Sequence, residues 1–262
     1  MNVVFSITGT RLEQEMELSD FFVRVPKAAL GLSGGTDSSY LLYAGRKLGA
    51  DVRPYFVRTV FQPAFELEDA KKVCSFSGAE LTVIEADILA VPQVAANPEN
   101  RCYYCKTAIF SALKARAAAD GYDVILDGTN ASDDAADRPG MKALGELSVR
   151  SPLRECGITK ADVRALSARA GLFTADKPSY ACLATRVPAG EILTAEKLEK
   201  VEKAENALFE MGYTDFRVRL RGGAARLEFS RAQLLRAVRE WDDIRRALGK
   251  DFSAVAMDMK GR

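Results

Sequence analysis

The chain has 262 residues, with 37 Lys and Arg against 36 Asp and Glu for a net charge of +1, and 48% of it is apolar. That composition excludes a global attraction for nucleic acid and offers no apolar run long enough to cross a bilayer, while the length suffices for one large core or two modest ones. Five cysteines and no histidine exclude imidazole bases and imidazole-ligated metals, so any chemistry falls to carboxylates, lysines, arginines, hydroxyls, thiols and bound cofactors.

Acidic residues crowd the first twenty positions, so no secretory signal is expected, and the odd cysteine count points to reduced thiols in a cytoplasmic setting. Residues 11–24 mix charge and leucine and predict a surface helix. The apolar run at 28–32 predicts a buried parallel strand, and residues 40–48, at helical spacing, predict a helix. Between them lies Ser33-Gly34-Gly35-Thr36-Asp37-Ser38-Ser39. Further strands are predicted at 51–58, 80–85 and 122–127. Helices are predicted from Pro63 to about residue 76 and over 102–119, with a loop at 91–100. This strand–helix alternation predicts an α/β, doubly wound parallel sheet, which binds ligands outside the carboxyl ends of its strands.

Residues 132–145 are small, acidic and irregular, and predict a loop. Thr159 and Asp162 predict a capped helix running to Gly171. A second unit is expected from residue 181, dividing the chain into 1–180 and a smaller C-terminal α/β domain, 181–262. Within it the pattern predicts a helix capped by Thr194, strands at 216–220 and 225–229, a helix over 230–248 and a last strand at 252–257. Trp241 is expected in the core.

The turn at 33–39 carries the first chemistry. Gly34 and Gly35 let the backbone bend tightly and bring N–H groups up to an anion, and the following helix start adds its own. Ser33, Ser38 and Ser39 supply hydroxyl donors. Asp37 beside a phosphate requires an intervening cation, which argues for Mg²⁺ on a polyphosphate. The turn lacks the Gly-Lys-Ser/Thr element of a Walker loop and the spacing of a dinucleotide fingerprint. It resembles instead the PP-loop, Ser-Gly-Gly-x-Asp-Ser, of ATP pyrophosphatases. A helix-capping Ser/Gly turn is the bland alternative. Asp127-Gly128-Thr129-Asn130, backed by Asp133 and Asp134, falls at a strand's carboxyl end on the same rim. It suits a metal–nucleotide site, although such residues also make ordinary strand-end turns.

Arg101-Cys102-Tyr103-Tyr104-Cys105-Lys106 places a Cys-x-x-Cys pair at a helix start, which can be redox-active, metal-ligating or a pair of core thiols. As a metal site it is half complete, and Cys182, in Lys177-Pro178-Ser179-Tyr180-Ala181-Cys182-Leu183-Ala184-Thr185-Arg186, is the candidate third ligand. Three thiolates without histidine suit an iron–sulfur cluster with one open iron better than a structural zinc. Cys74 reads as a buried thiol, and Cys156 as a turn residue. Alternation sets Arg217, Arg219 and Arg221 on one strand face, which suits a phosphate or a charge-protected sheet edge.

Together these segments resemble the LarE family of ATP-dependent sulfur transferases over nearly the whole chain. The shared segments are 33–38, 101–106, 127–130, 150–153, 181–186 and 217–228. The resemblance implies an adenine nucleotide alpha hydrolase-like fold that adenylates the carboxylates of pyridinium-3,5-biscarboxylic acid mononucleotide, releases pyrophosphate and inserts sulfur, towards the nickel-pincer nucleotide of lactate racemase. It implies ATP on Ser33, Gly34, Gly35, Asp37, Ser38, Val57, Gly128, Thr129 and Asn130, with Mg²⁺ on Asp37, Asp133 and Glu205. Substrate phosphate would fall to Arg217 and Arg219, joined by Arg221 from the alternation of the same strand face. In some members the cysteine matching Cys182 surrenders its sulfur and becomes dehydroalanine; in others three cysteines hold a 4Fe-4S cluster, the version expected with Cys102, Cys105 and Cys182. Arg221 replaces the family's expected histidine. The implied partners are a nucleotide substrate, a sulfur donor, other pathway proteins and a second copy of the chain, with no nucleic acid and no membrane. A tRNA thiolase, an amide synthetase and a non-catalytic nucleotide or zinc protein are the competing readings.

Overall fold

The computed structural model describes residues 3–133 and 139–262, with side chains from residue 13 onward. Asp134 and the heart of the predicted loop at 132–145 lie outside the described residues. In chain order the elements are α1 (Val3–Arg24), β1 (Lys27–Gly31), α2 (Thr36–Lys47), β2 (Asp51–Arg58), α3 (Ala64–Ser77), β3 (Thr82–Glu85), α4 (Pro92–Ala95) and α5 (Arg101–Ala119). They continue with β4 (Ile125–Leu126), α6 (Pro139–Glu146), α7 (Pro152–Glu155), α8 (Lys160–Arg169), α9 (Ala195–Glu210), β5 (Phe216–Arg221), β6 (Ala224–Phe229), α10 (Arg231–Arg239), α11 (Trp241–Leu248) and β7 (Val255–Met257). Single 3-10 turns sit at Ile88–Ala90 and Leu183–Arg186.

The described residues form two compact units. The first comprises Met1–Thr59, Ala64–Ala86 and Cys102–Ser179; the second comprises Val60–Pro63, Asp87–Arg101 and Tyr180–Arg262. The second unit thus draws two upstream segments to itself. Leu183 N–H donates to Phe61 O, Leu193 N–H to Ala95 O, and the Asn97 amide to the carbonyls of Val187 and Pro188.

The first unit is a parallel sheet in the order β3-β2-β1-β4 with flanking helices, the α/β class that the strand–helix alternation implies. The middle of β1 is buried, which an apolar strand covered on both faces requires. One core cluster gathers Leu18, Phe21, Leu30, Leu41, Phe56 and Leu153; another gathers Tyr55, Phe110, Leu113 and Ile125. The expected capping box starts α8, with Thr159 Oγ1 accepting the Asp162 N–H and Asp162 returning the bond to the Thr159 N–H.

Several predicted elements differ in extent. Only two residues of the 122–127 run pair as β4, and Arg150 bridges its other side. The 91–100 loop contains α4, started by Pro92 at its first turn, and the end of the 132–145 loop is helical as α6. The single helix predicted over 230–248 is two. The chain turns at Glu240, whose carboxylate accepts bonds from Tyr213 Oη and Arg236 Nε. Trp241, expected in the core, starts α11 only partly buried.

In the second unit β5 and β6 pair antiparallel, β6 and β7 parallel. Its core joins Leu198, Val201 and Leu208 of α9 to Phe216, Val218, Leu227 and Phe229 of the sheet and to Ile244 and Leu248 of α11, all buried.

Candidate functional sites: a nucleotide-sized cavity and a cationic cysteine loop

In the first unit, β1 ends at Gly31 and α2 starts at Thr36, so residues 32–35 form the tight turn. Gly34 takes φ +70°, a conformation that favours glycine. Ser38 Oγ accepts the Ser33 N–H at 3.2 Å and bonds Ser33 Oγ at 3.1 Å, closing the turn on itself. No side chain caps α2 at Gly35. Across from it, Gly128 approaches so closely that a Cβ there would lie 2.7 Å from Ser38 N. The two segments read as one rim therefore touch.

They border a cavity of about 520 Å³, lined among others by Ser33, Gly35, Asp37, Gly128, Asp133 and Cys102, within the size range of small-ligand sites. Phe110, Pro139 and Met141 give it apolar walls. Asp37 projects from the first turn of α2, and its Oδ2 accepts a bond from Lys160 Nζ at 2.7 Å. Its Oδ1 is buried with no hydrogen-bond partner among the described residues. Burial pushes the Asp37 carboxyl above the usual carboxylate range, with Lys160 working against the shift and Asp133 adding to it. A buried carboxylate oxygen with no donor, facing a second carboxylate beside an anion-binding turn, suits a hard cation. Mg²⁺ commonly binds through one or two carboxylates plus phosphate oxygens.

Other rim residues are also engaged within the protein. The buried Asp127 carboxylate accepts bonds from Thr129 Oγ1, Ser151 Oγ and the Thr129 N–H, and Lys106 Nζ lies 3.8 Å away. Asn130 is buried in an Asx turn, its Oδ1 accepting the Ser132 N–H, while its own N–H donates to Asp133 Oδ2. Val57 packs its side chain in the core with Ala29 and Tyr55.

Lys160, Lys177 and Arg164 are absent from the sequence reading of this site. Lys160 follows the visible cap of α8, and that local signal says nothing about where its ammonium reaches. Lys177 donates to Gly34 O at 2.9 Å and to Asp69 Oδ2 at 2.6 Å. Arg164 holds the carbonyls of Ala175 and Lys177.

The second unit holds Cys182, partly exposed, immediately before the 3-10 turn. Arg101 Nη2 lies 3.9 Å from its Sγ, and Arg101 Nη1 donates to Asn97 Oδ1 at 3.0 Å. Asn97 sits at φ +51°, tolerable for asparagine. Behind the loop, Glu205 is 1% exposed. Its carboxylate takes Arg186 Nε at 2.7 Å, Arg186 Nη2 at 3.3 Å, the Val218 N–H at 3.0 Å and the Tyr180 hydroxyl. The expectation of Glu205 as a Mg²⁺ ligand meets a carboxylate already engaged by protein donors on both oxygens.

The three arginines of β5 are graded in burial. Arg217 is 5% exposed, Arg219 partly buried and Arg221 exposed. Arg219 bonds Glu228 Oε2 at 2.8 Å and the Thr185 carbonyl at 2.8 Å. Arg217 and Arg186 both lie over the Tyr180 ring, at 5.2 and 4.7 Å. Loss of water, then repulsion from Arg186 and Arg262, pulls the Arg217 pKa down to about 10. A buried cation crowded by two others suits an anionic ligand.

Of the remaining thiols, Cys105 is buried and Cys102 exposed on the nucleotide-sized cavity. Burial pushes Cys74 up to about 12, and burial with nearby Glu17 and Glu155 pushes Cys156 to about 11, as expected of inert thiols. Among the described residues no three Cys, Asp or Glu side chains gather as a metal-binding group.

No family model matches the chain. An uncharacterized protein of Synechocystis sp. is 37% identical over 235 residues, 87% of this chain and 86% of that protein. The pyridinium-3,5-bisthiocarboxylic acid mononucleotide synthase of Lactiplantibacillus plantarum is 31% identical over 238 residues, 90% of this chain and 86% of the synthase. An uncharacterized protein of Methanocaldococcus jannaschii is 29% identical over 182 residues, 70% of this chain and 69% of that protein.

Proposed function

The chain belongs to the LarE family, and from that premise we propose that it is an ATP-dependent sulfur transferase. Its substrate is pyridinium-3,5-biscarboxylic acid mononucleotide, and its product serves the nickel-pincer nucleotide cofactor. The observation that carries the reading is the buried, donor-less Oδ1 of Asp37 beside the Gly34-Gly35 turn in a cavity of nucleotide size. ATP binds with its phosphates on the turn, while the Ser33 and Ser38 hydroxyls and the first N–H groups of α2 face their charge. Asp37 and Asp133 are the residues that would hold Mg²⁺, which would supply charge neutralisation for the departing pyrophosphate. A substrate carboxylate oxygen attacks the α-phosphorus, the bond to the bridging oxygen breaks, and pyrophosphate leaves. A sulfur nucleophile then attacks the activated carbon, and AMP departs with the carbon–oxygen electron pair.

Arg217, with Arg219 and Arg221, binds the phosphate of the pyridinium mononucleotide. Arg101 brings a guanidinium to 3.9 Å from the Cys182 sulfur, and Cys182 is the sulfur-handling group. Cys102, Cys105 and Cys182 match a 4Fe-4S cluster in donor type and are the residues that would hold one, with an open iron to carry the transferred sulfur. In the sacrificial version the Cβ–Sγ bond of Cys182 breaks as its Cα proton is lost, leaving dehydroalanine and carrying the sulfur away with the product. Recharging a cluster requires an external sulfur donor. We place the protein in the cytoplasm; among the described residues no helix is long and apolar enough to cross a membrane.

The test is anaerobic purification with iron and sulfide analysis, then turnover with ATP and the pyridinium substrate, followed by intact mass. Iron and sulfide at cluster stoichiometry, with repeated product and unchanged protein mass, support the three-cysteine cluster. Loss of one sulfur per chain assigns the sacrificial route. Absence of both pyrophosphate release and thiolated product overturns the proposed activity.

A further inference from the structure

The Lys177 ammonium and the Asp69 carboxylate form a pair whose side chains are 16% and 15% exposed, and Lys177 makes a second bond, at 2.9 Å, to the carbonyl oxygen of Gly34. That carbonyl belongs to the peptide joining Gly34 to Gly35. A trans peptide is planar, with its C=O and N–H pointing in opposite directions. Fixing Gly34 O towards Lys177 therefore fixes the Gly35 N–H the other way. Gly35 lines the cavity, and among the described residues its N–H reaches Ser33 Oγ alone, at a long 3.3 Å.

Such a peptide needs a lock. Glycine on both sides removes the steric bias that keeps an ordinary peptide from flipping. The rest of the turn cannot absorb a shift, since a Cβ on Gly34 would lie 2.5 Å from Glu66 O and 3.1 Å from Ala70 N of α3. Lys177 is itself held from behind, its carbonyl accepting from Arg164 Nη2 at 2.9 Å, and Thr36 Oγ1 pins the Thr174 carbonyl at 2.8 Å. The ammonium thus arrives on a strap stitched to α8 and α2.

We propose that Lys177 is a positioning residue that locks the Gly34–Gly35 peptide with the Gly35 N–H aimed at a phosphoryl oxygen of the bound nucleotide. It touches neither nucleotide nor metal and acts through Gly34. The assignment rests on the nucleotide reading of the cavity and adds to it the device that preorganises one of its donors. Preorganised N–H donors aimed at developing charge are among the largest single contributions to catalysis.

The experiment uses the full chain labelled with ¹⁵N-glycine, as wild type, Lys177→Met, Lys177→Arg and the charge-neutral double variant Lys177→Met/Asp69→Asn. Inorganic pyrophosphate and Mg·ATP are the probes. In the wild type the Gly35 amide resonance moves on pyrophosphate addition. In Lys177→Met and in the double variant that response is lost and the rate of pyrophosphate release falls about 100-fold, the size seen when one preorganised donor is removed. Lys177→Arg restores both, because a guanidinium reaches the same carbonyl. The double variant leaves no unpaired buried charge and keeps the test open if Lys177→Met fails to fold. An unchanged Gly35 response in the double variant overturns the proposal and leaves the nucleotide reading intact. Failure of the wild type to bind either probe overturns the nucleotide reading, and the proposal with it.

Discussion

Lys160 Nζ lies 2.7 Å from Asp37 Oδ2 although 123 residues separate the two in the chain, and the other oxygen of the same carboxylate is buried without a donor among the described residues. One ammonium therefore half-satisfies a carboxylate that burial pushes towards its neutral form.

Asp37→Asn is accordingly expected to stabilise the ligand-free protein at pH 7 while abolishing Mg²⁺-dependent pyrophosphate release. Asp37 has a raised folded-state pKa, so its favourable contribution is present below the ordinary carboxylate range and is lost as pH rises through the folded value. The advantage of the variant should therefore vanish near pH 3, where the carboxyl is protonated in both states. Thermal melts at the two pH values decide it, and a variant melting several degrees below wild type at pH 7 contradicts it.

Gly128→Ala inserts a methyl group 2.7 Å from a backbone nitrogen of α2, which cannot move as a side chain can. Overpacking of this kind costs about 1–3 kcal/mol. The expected result is a folded protein with a lowered melting temperature and at least tenfold weaker Mg·ATP binding by calorimetry. Wild-type affinity would show that the rim yields more easily than its geometry suggests.

Glu205→Ala leaves Arg186 buried without its carboxylate partner, and breaking such a pair from one side costs about 3–5 kcal/mol. Denaturant unfolding should show that loss, with little soluble protein at 37 °C. Arg186→Met/Glu205→Leu, which removes both charges, should recover much of it. If the double variant is no more stable than the single one, the pair is not the stabilising element.

Arg217 predicts a ligand effect. Its pKa, drawn down to about 10, still leaves it protonated at pH 7, and a phosphate bound there would relieve the crowding of like charges. A pyridinium mononucleotide at 100 times its dissociation constant should stabilise the wild type by about 2.7 kcal/mol, read as a rise in melting temperature. Arg217→Met should show no such rise. An equal shift in both proteins moves the phosphate site elsewhere.

The amino-acid sequence alone determined the α/β architecture of the first unit, the tight glycine turn within 33–39, the capped start of α8 and the burial of Cys74. Each of these is a local matter of apolar runs, glycines beside a strand end, or a cap and its partner three residues on. Only the tertiary structure decided which charges meet. Asp37 finds Lys160, Gly34 finds Lys177 and Glu205 finds Arg186 because chain packing brings their segments together, and no periodicity along the chain records such a contact. Glu205 shows the distinction most plainly: its residue type says nothing of the four protein donor groups that surround its buried carboxylate.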